Sequence, residues 1–522
     1  MGPPAAMTPE SEAAELAWLD RAHQRLGRPL RVLHIGNIAN NAFNNARIQR
    51  SHRIEADVLC ADNYHIMATP EWEEAQFDAA PEDAFFPDWS TINLHGYQRP
   101  RWFAAAPLQD ACRYLEARAG GTATEADRLW HRMEHERHVR CSKSQIAKLG
   151  LLRRKIGWKL RHEQQELINN LGILADRHER AASAIGARSR ADLIALWQSR
   201  HNKKPFPALA TDLDRYWQQY KSIHRLLGHY DIIQGYAQDG IWALLAGKPY
   251  AAYEHGTLRQ LPFEDNVVGR IVAMVYGLAD RVFVTNIDCL ASADRLDLDT
   301  SRVTPLPHAF DDAKLRQFRA DNCALVPACG PLRLFMPARQ DWQDGDPNLA
   351  KGNDLFFRAC SLLVKGGTPL SITAVNWGRD LEASKALIDE LGLTNQVTWV
   401  GPMQKTELWH AYLTHHAVID QFRLAAFGGV TFEALALGRR VITALDETAA
   451  LRFFGEAPPL FAANETRTIA AALAKIAADP DDTALMGAKA AIWIERHHSA
   501  RRVTALQAAA YRKMLDDTSH PV

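Results

Sequence analysis

The sequence has little of what would assign a class of protein at once. Its seven cysteines are scattered without a Cys-x-x-Cys pair, which argues against a disulfide framework or a zinc site and is typical of reduced thiols in a cytoplasm. No run of about 18 residues is free of charge, so no membrane span is predicted. Lys and Arg number 61, as do Asp and Glu, and this balance argues against a nucleic-acid-binding surface.

The N-terminus also lacks the basic region followed by an apolar one that marks a secretory signal, because MGPPAAMTPESEAAELAWLD is acidic. We therefore expect a cytoplasmic protein. What the chain does have is length and apolar content. Its 522 residues predict two or three domains, and a hydrophobic fraction of 47% gives them an ample core.

One stretch, residues 417–444, organises the rest of the chain and reads AVIDQFRLAAFGGVTFEALALGRRVITA. Its apolar start predicts a buried parallel strand, Thr431–Leu437 predicts a helix ended by Gly438, and the last residues predict a second strand. This is a βαβ unit. Its double glycine lies where the helix begins, so bare amide groups and the positive end of the helix dipole face a crevice that suits a phosphate or pyrophosphate.

The segment FGGVTFEALALGRRVIT resembles the signature of the retaining GT-B glycosyltransferases of family four. In that family the glycine-loop amides bind the donor diphosphate and the glutamate binds the ribose of the nucleotide. The resemblance implies these nucleotide-sugar-binding roles for Gly428, Gly429 and Glu433. The family usually carries another glutamate eight positions before the ribose-binding one, facing the transferred sugar, and this chain has Ala425 there.

Two motifs in the first half of the chain extend the resemblance. The strand LRVLHI ends in Gly36 and Asn37, which the family uses to contact the donor diphosphate or the acceptor, although a plain turn between strand and helix is the alternative. The strand KPYAAY leads to Glu254-His255-Gly256, where the family places a histidine on the donor sugar. The resemblance therefore implies a catalytic role for His255. Arg259 meets acceptor or phosphate charge, or is a surface arginine.

A pair of basic residues follows the first strand of the second half. The strand LRLFMP is followed by Arg339 and, a dozen residues later, by Lys351 and Gly352. This resembles the family's GR…KG element, with Ala338 in place of the usual glycine. Two fixed cations suit a leaving nucleoside diphosphate, because they stabilise its developing charge without a metal. We therefore predict catalytic roles for Arg339 and Lys351, and neither a metal nor a cofactor.

The resemblance predicts an α/β fold of the GT-B type, two facing Rossmann-like domains with a large helical insertion in the first. The expected units are an N-terminal acceptor domain (1–315, insertion about 105–225), a C-terminal nucleotide-sugar domain (325–495) and a terminal helix crossing back (496–522), with a linker near 311–330. Within the insertion, the basic segment 137–162 is either a solvated helical hairpin or an amphipathic surface that touches anionic lipid at the inner face of the membrane.

The implied activity is transfer of a sugar from a UDP- or GDP-linked donor to a glycan or glycolipid acceptor of the cell envelope, with retention of configuration. Partners would be the nucleotide sugar and this acceptor, without nucleic acid. Two alternatives stay open. One is a GT-B sugar-nucleotide epimerase or phosphorylase. The other is a catalytically silent subunit that binds nucleotide sugar. The alanine at 425 favours this alternative, and the retained donor-binding residues, Arg339, Lys351, Gly428 and Glu433, argue against it.

Overall fold

The computed structural model describes residues 7–61, 65–84, 87–135, 188–200, 208–322, 330–346, 348 and 350–518. The basic segment 137–162 lies outside these residues. Both interpretations of that segment, the solvated hairpin and the lipid-contacting surface, therefore stay predictions.

The N-terminal domain is built on a sheet of seven parallel strands in the order β3-β2-β1-β4-β5-β6-β7. Most of these strands are short runs of buried apolar residues, as expected when helices cover both faces of a parallel sheet. The strands are β1 (Arg31–Ile35), β2 (Glu55–Cys60), β3 (Phe103–Ala105), β4 (Ile232–Tyr236), β5 (Tyr250–Tyr253), β6 (Arg281–Val284) and β7 (Val303–Pro305).

The helices of this half precede, connect and follow these strands, and where the chain between β3 and β4 is described it is mainly helical. They are α1 (Pro9–Leu26), α2 (Asn41–Ser51), α3 (Pro70–Glu74), α4 (Leu108–Ala119), α5 (123–135), α6 (Arg190–Arg200), α7 (Asp214–Gly228), α8 (Ile241–Ala246), α9 (Val267–Leu278), α10 (Cys289–Arg295) and α11 (Asp312–Asp321).

The C-terminal domain has a second parallel sheet, of six strands in the order β10-β9-β8-β11-β12-β13. Its strands are β8 (Leu332–Met336), β9 (Leu370–Val375), β10 (Val397–Val400), β11 (Ala417–Ile419), β12 (Arg440–Thr443) and β13 (Phe461–Ala462). Its helices, with the two that end the chain, are α12 (Asn353–Lys365), α13 (Leu381–Glu390), α14 (Lys405–Thr414), α15 (Gly429–Ala436), α16 (Glu447–Phe454), α17 (Thr466–Ala478), α18 (Pro480–His498) and α19 (Ala500–Thr518).

Each sheet has a point where the order of its strands reverses. In the first sheet the chain moves outward from β1 through β2 to β3 and then returns to the other side of β1 with β4. The second sheet repeats the pattern, with β11 returning to the free side of β8. Ligands of doubly wound folds bind at such reversals, beyond the carboxyl ends of the strands. Gly36 and Asn37 follow β1, and Arg339 follows β8, so both reversals carry predicted site residues.

The two carboxyl edges face each other across a cleft. The indole rings of Trp72 in α3 and Trp377 after β9 stack with their centroids 6.3 Å apart, and Lys405 Nζ lies 3.7 Å from Glu73 Oε2. Two facing Rossmann-like domains are the GT-B arrangement, and this prediction of the fold is confirmed.

The last helix, α19, packs on the N-terminal domain through a buried polar network. Gln507 Oε1 and the Tyr511 hydroxyl both accept from Gln49 Nε2 at 2.9 Å, and the same hydroxyl donates to Gln234 Oε1 at 2.6 Å. Gln49 in turn bonds the ring of His34 in β1. Satisfied buried polar groups hold neighbours in one arrangement, so this network fixes where the chain ends on the first sheet.

Two local expectations differ from the structure. The helix of the organising stretch begins at Gly429 rather than Thr431, because extended backbone at Gly428 already allows the next residue to turn. The expected linker, 311–330, begins with a helix, α11, which the side chain of Asp311 caps through the amide of Lys314 at 2.9 Å. An acidic residue three positions before a helical amide was the sequence signal for that start.

Candidate active site

The two glycines of the organising stretch lie at the start of α15. Gly428 precedes the helix with extended backbone (φ −91°, ψ 170°), Gly429 is the first helical residue, and no side chain of the described residues caps this end. A Cβ on Gly428 would lie 2.8 Å from Oδ2 of Asp420, which Thr431 holds through a 2.6 Å hydrogen bond. A Cβ on Gly429 would meet nothing within 4 Å. The first-turn amides are thus of the kind that helix N-termini offer to anions.

Lys351 lies beside this turn, between β8 and α12. Its ammonium group donates to Oε1 of Gln421, whose amide nitrogen donates to the carbonyl of Ala426 just before the glycines. Burial lowers the pKa of Lys351, with the Asp420 carboxylate opposing this effect and the Arg339 guanidinium adding to it. Among the described residues, the direct hydrogen-bond partner of this half-buried ammonium group is therefore a neutral amide, which leaves its charge for a ligand.

Arg339 stands at the same edge, just beyond β8. Its Nη1 atom lies 3.5 Å from Oδ2 of Asp341, and its side chain is 34% exposed. Burial, and then the charge of Arg339, lower the pKa of His65 in the N-terminal domain. The structure thus brings Arg339, Lys351 and the double glycine together at the β8–β11 reversal.

Glu433 points from α15 into a buried cluster. Lys405 Nζ donates to its Oε1 atom, and Trp409 Nε1 donates to Oε2 at 3.2 Å. Burial raises the pKa of Glu433, while Lys405 acts to lower it and Glu73 to raise it. The carboxylate predicted to bind ribose is therefore already held by two donors. Lys405 and Trp409 were missed from the sequence, although their spacing of four residues places them on one helix face.

His255 follows β5 in the N-terminal domain, which forms the opposite wall of the cleft, and supplies a polar atom there. Its Nε2 atom is buried and has no hydrogen-bond partner among the described residues, and its ring stacks on Tyr236 with centroids 6.4 Å apart. Burial lowers the pKa of His255 although the neighbouring Glu254 acts to raise it, so the ring is neutral near pH 7. A buried polar atom without a partner at a strand end is a candidate contact for a ligand.

Glu254 has a structural part instead. Its Oε2 atom accepts hydrogen bonds from the backbone amides of Thr285, at 3.2 Å, and Asn286, at 3.1 Å. These contacts join the ends of β5 and β6. Arg259 is paired with the carboxylate of Asp288, with Nη2 3.0 Å from Oδ1. Its charge also acts to lower the pKa of Lys351.

His308 connects the two walls. Its Nδ1 atom donates to Oδ1 of Asn41 at 3.2 Å, and its ring contacts the ring of Phe432, the residue before Glu433, with centroids 5.2 Å apart. Burial lowers its pKa to about 4, and the other charges acting on it include those of Glu254 and His255. The α15 helix and the His255 wall therefore meet at this histidine.

Gly36 and Asn37 have their polar groups bound within the protein. The Gly36 amide donates to the carbonyl of Leu59 at 2.9 Å, so it belongs to the sheet. The Asn37 side chain donates to the carbonyl of Ala68 at 2.8 Å and accepts from the amide of Phe43 at 3.1 Å. Gly36 has a φ of +92°, and a Cβ there would lie 2.7 Å from Asp239 Oδ2. The glycine is thus required by the turn, and a role of either residue in binding the donor stays a prediction.

The described residues contain no group of three or more His, Cys, Asp or Glu side chains arranged to hold a metal ion. They also contain no helix with the length and apolar character needed to cross a membrane.

Several solved structures are similar to this chain. The chain is similar to the crystal structure of Alr3699/HepE from Anabaena in complex with UDP, at 15% identity and a TM-score of 0.44, covering 59% of this chain and 83% of that one. Sucrose-phosphate synthase from Thermosynechococcus elongatus is 16% identical at a TM-score of 0.41, covering 58% and 80%. TarM of S. aureus is 12% identical at a TM-score of 0.40, covering 54% of each chain.

The family is indicated by sequence. Residues 347–493 match the family model described as Glycosyl transferases group 1. The matched segment contains Lys351, the double glycine and Glu433, and it confirms for the C-terminal domain the family resemblance that the sequence predicts. No protein with a curated description matches the chain.

Proposed function

We propose that this protein is a retaining glycosyltransferase that transfers a sugar from a UDP- or GDP-linked donor to a cell-envelope glycan or glycolipid. One observation carries the proposal, the meeting of a half-buried lysine with a glycine-led helix that no described side chain caps, at the β8–β11 reversal. Lys351 and the Gly428–Gly429 amides offer positive charge and hydrogen-bond donors to the same small volume. A diphosphate is the ligand group that uses both.

The remaining residues take parts around that diphosphate. Arg339 shares the negative charge that develops on the leaving nucleoside diphosphate, which costs no reorganisation because the group is already in place. Glu433 accepts hydrogen bonds from the ribose hydroxyls. Nε2 of His255 contacts the donor sugar, for which it has a buried and unpartnered atom. In this proposal the fixed cations replace a divalent metal, and the acceptor approaches from the N-terminal domain.

The bond between the anomeric carbon and the diphosphate oxygen breaks with its electron pair leaving on the oxygen. The acceptor oxygen bonds the same face of the anomeric carbon, and its proton passes to the leaving phosphate. Retention follows because both oxygens lie on one face. This step rests on the family resemblance, and no side chain of the chain is assigned as the base.

Ligand-induced thermal stabilisation tests the donor site. Wild-type protein is titrated with UDP-, GDP- and ADP-sugars, and stabilisation by one nucleotide class is expected. K351A and E433A should lose that stabilisation, whereas K365A and E390A, which change exposed residues of the same domain, should keep it. Equal stabilisation in all five proteins would overturn the assignment. Repeating the titration with a chelator present tests the metal-independence.

A second candidate, a subunit that binds nucleotide sugar without turnover, is favoured by one feature. The loop position where the family usually carries a sugar-facing glutamate is Ala425, and the nearby Asp420 is bound to Thr431 under the glycine turn. Proton NMR of the responsive nucleotide sugar separates the candidates. Release of the nucleoside diphosphate, with the sugar in the product keeping the anomeric configuration it had in the donor, supports the transferase. Binding without release, whichever acceptor is offered, supports the silent subunit.

A further inference from the structure

The short helix α3 is attached firmly to the N-terminal domain. The carbonyl of Thr69, which precedes it, accepts a 2.8 Å hydrogen bond from the side chain of Asn40. Glu71 forms a buried ion pair with Arg99 in which both carboxylate oxygens accept from the guanidinium, at 2.8 and 2.9 Å. Two-point pairing of this kind fixes orientation as well as position. The helix therefore moves with its own domain.

Two side chains of the same helix reach the other domain. Trp72 stacks on Trp377 after β9, with an angle of 27° between the rings. Glu73 approaches the first residue of α14, with 3.7 Å between its Oε2 atom and Lys405 Nζ. The next residue, Glu74, turns back and pairs with Arg47 of its own domain. Adjacent glutamates on one turn thus serve different domains.

Lys405 connects this contact to the donor site. The same ammonium group that faces Glu73 donates to Oε1 of Glu433. The side chains of Glu73, Lys405 and Glu433 are only 15%, 17% and 9% exposed. Charges so little exposed to water interact more strongly than surface pairs. A carboxylate in one domain therefore acts, through one lysine, on the carboxylate predicted to hold the ribose in the other.

The charges around Glu433 show what the lysine does. Lys405 and Glu73 are the charged groups acting on it, with the buried hydroxyl of Tyr412 nearby. Burial raises the pKa of Glu433, Lys405 opposes the rise, and Glu73 adds to it. Burial likewise acts to lower the pKa of Lys405, but the two carboxylates outweigh it and the pKa is raised. The charge of Lys405 thus favours the ionised form of Glu433, which is the form that accepts hydrogen bonds.

We propose that Lys405 is a positioning residue that holds Glu433 ready for the ribose and, through Glu73, links nucleotide binding to closure of the two domains. The inference rests on the proposed function, because the ribose-binding part of Glu433 belongs to it. In the closed arrangement Glu73 holds Lys405 where it orients Glu433 for the ribose, so closure favours nucleotide binding. Nucleotide binding favours closure in turn, since coupling between two sites is reciprocal.

Variants of adjacent residues test the link. Nucleotide affinity is measured by calorimetry, with the nucleoside diphosphate that stabilises the wild type as the probe. E73Q and K405M should each weaken binding about tenfold, within the usual range for coupled sites. The double variant should be no weaker than K405M alone. E74Q, the same change one residue further on, should bind as the wild type does. Equal affinity for E73Q and wild type, or equal losses for E73Q and E74Q, would overturn the proposal.

The pH dependence of binding separates positioning from a purely structural role. In K405M the pKa of Glu433 should rise, because burial and Glu73 remain while the opposing cation is gone. Binding needs the ionised carboxylate, so affinity is kept above that pKa and lost as the pH falls through it. The loss should begin at a higher pH in K405M than in the wild type. The same pH profile in both proteins would count against the positioning role of Lys405.

A measurement without nucleotide keeps this result distinct from that of the proposed function. Hydrogen exchange of the α14 backbone, Lys405–Thr414, should be faster in ligand-free E73Q than in E74Q. If the wild type binds no nucleotide but the two variants show this difference in exchange, the proposed function is overturned and the interdomain contact is supported. Nucleotide binding with equal exchange in the two variants overturns the link between the domains instead.

Discussion

The carboxyl edges of the two sheets have the same topology but use their polar groups differently. In the N-terminal domain the turn after β1 is closed on itself: the Gly36 amide and the Asn37 side chain are bound to neighbouring backbone. In the C-terminal domain no described side chain caps the helix after β11, and within the same part of the chain the Lys351 ammonium group has only an amide as its hydrogen-bond partner. A shared fold thus provides a crevice twice, and the partners of a few polar atoms decide which crevice is ready for an anion.

His255 is the exception in the first domain. It follows β5, and its Nε2 atom is buried without a partner among the described residues. In the proposed function this atom contacts the donor sugar, while the C-terminal domain holds the nucleotide. We therefore expect substitutions at the carboxyl edge of the C-terminal sheet to lower ligand affinity or rate. Substitutions in the turn after β1 should lower mainly the free energy of unfolding.

The largest effect is expected from Lys351→Ala. Removing one group that stabilises developing negative charge usually costs about 100- to 1000-fold in rate, and we expect a loss of that order in kcat/KM for the donor. Steady-state kinetics with the responsive nucleotide sugar measure it. Lys365→Ala, at the exposed end of α12, is the control and should be unaffected. Unchanged kinetics in K351A would remove the contrast between the two edges.

Acid should destabilise the first domain through His34. Burial lowers the pKa of this ring from 6.5 to about 4. Above pH 6.5 both folded and unfolded chains leave it neutral, and as the pH falls towards 4 only the unfolded chain gains the proton, so the free energy of unfolding falls. Over this window the loss due to His34 is of the order of 3 kcal/mol.

Denaturant unfolding of wild type and His34→Gln at several pH values measures this contribution. A glutamine keeps hydrogen-bonding capacity without titrating, so stability should fall less steeply below pH 6.5 in the variant. His224→Gln on α7 is the matched control and should follow the wild type. Parallel curves for wild type and H34Q would show that the network around β1 does not resist protonation.

Asn37→Ala should separate stability from ligand binding. The change leaves the Phe43 amide and the Ala68 carbonyl without the partner they have now, and each unsatisfied buried polar group costs about 1–3 kcal/mol. The free energy of unfolding should fall by at least the cost of one such group, while nucleotide affinity stays at the wild-type value. Asn464→Ala, at an exposed position, controls for the change of residue type. A selective loss of nucleotide affinity in N37A would instead give the first edge a direct part in donor binding.

The smallest effect compares the two glycines of the α15 turn. In Gly428→Ala the new methyl group would meet Asp420, so the turn must shift and nucleotide affinity should fall about tenfold, a cost near that of one hydrogen bond. Gly429→Ala has open space and ordinary backbone, and it should bind nucleotide nearly as well as the wild type. Calorimetry of both variants measures the difference. A larger loss in G429A than in G428A would mean that the ligand itself occupies the space above Gly429.

Much of this architecture was accessible from the sequence because the local signals agree. The apolar run of β11, the double glycine and the glycine that ends α15 predict the βαβ unit and the start of its helix within two residues. The short strand β3 and the helix α3 were not predicted, since residues 69–110 show no sustained periodicity and tertiary contacts stabilise them. Helix α11 was placed in a linker although Asp311 marks its start.

The sequence alone indicated individual buried strands and a double glycine at a helix start in the second half, because strand burial and helix starts are local properties of neighbouring residues; the arrangement in two doubly wound sheets was expected from the family resemblance. Only the tertiary structure decided which polar atoms have hydrogen-bond partners within the protein. Glu433 meets Lys405 28 positions away, and through it Glu73 of the other domain, only because the chain folds back across the cleft. Such contacts depend on distances between elements rather than on the residues beside them, so no pattern along the chain records them.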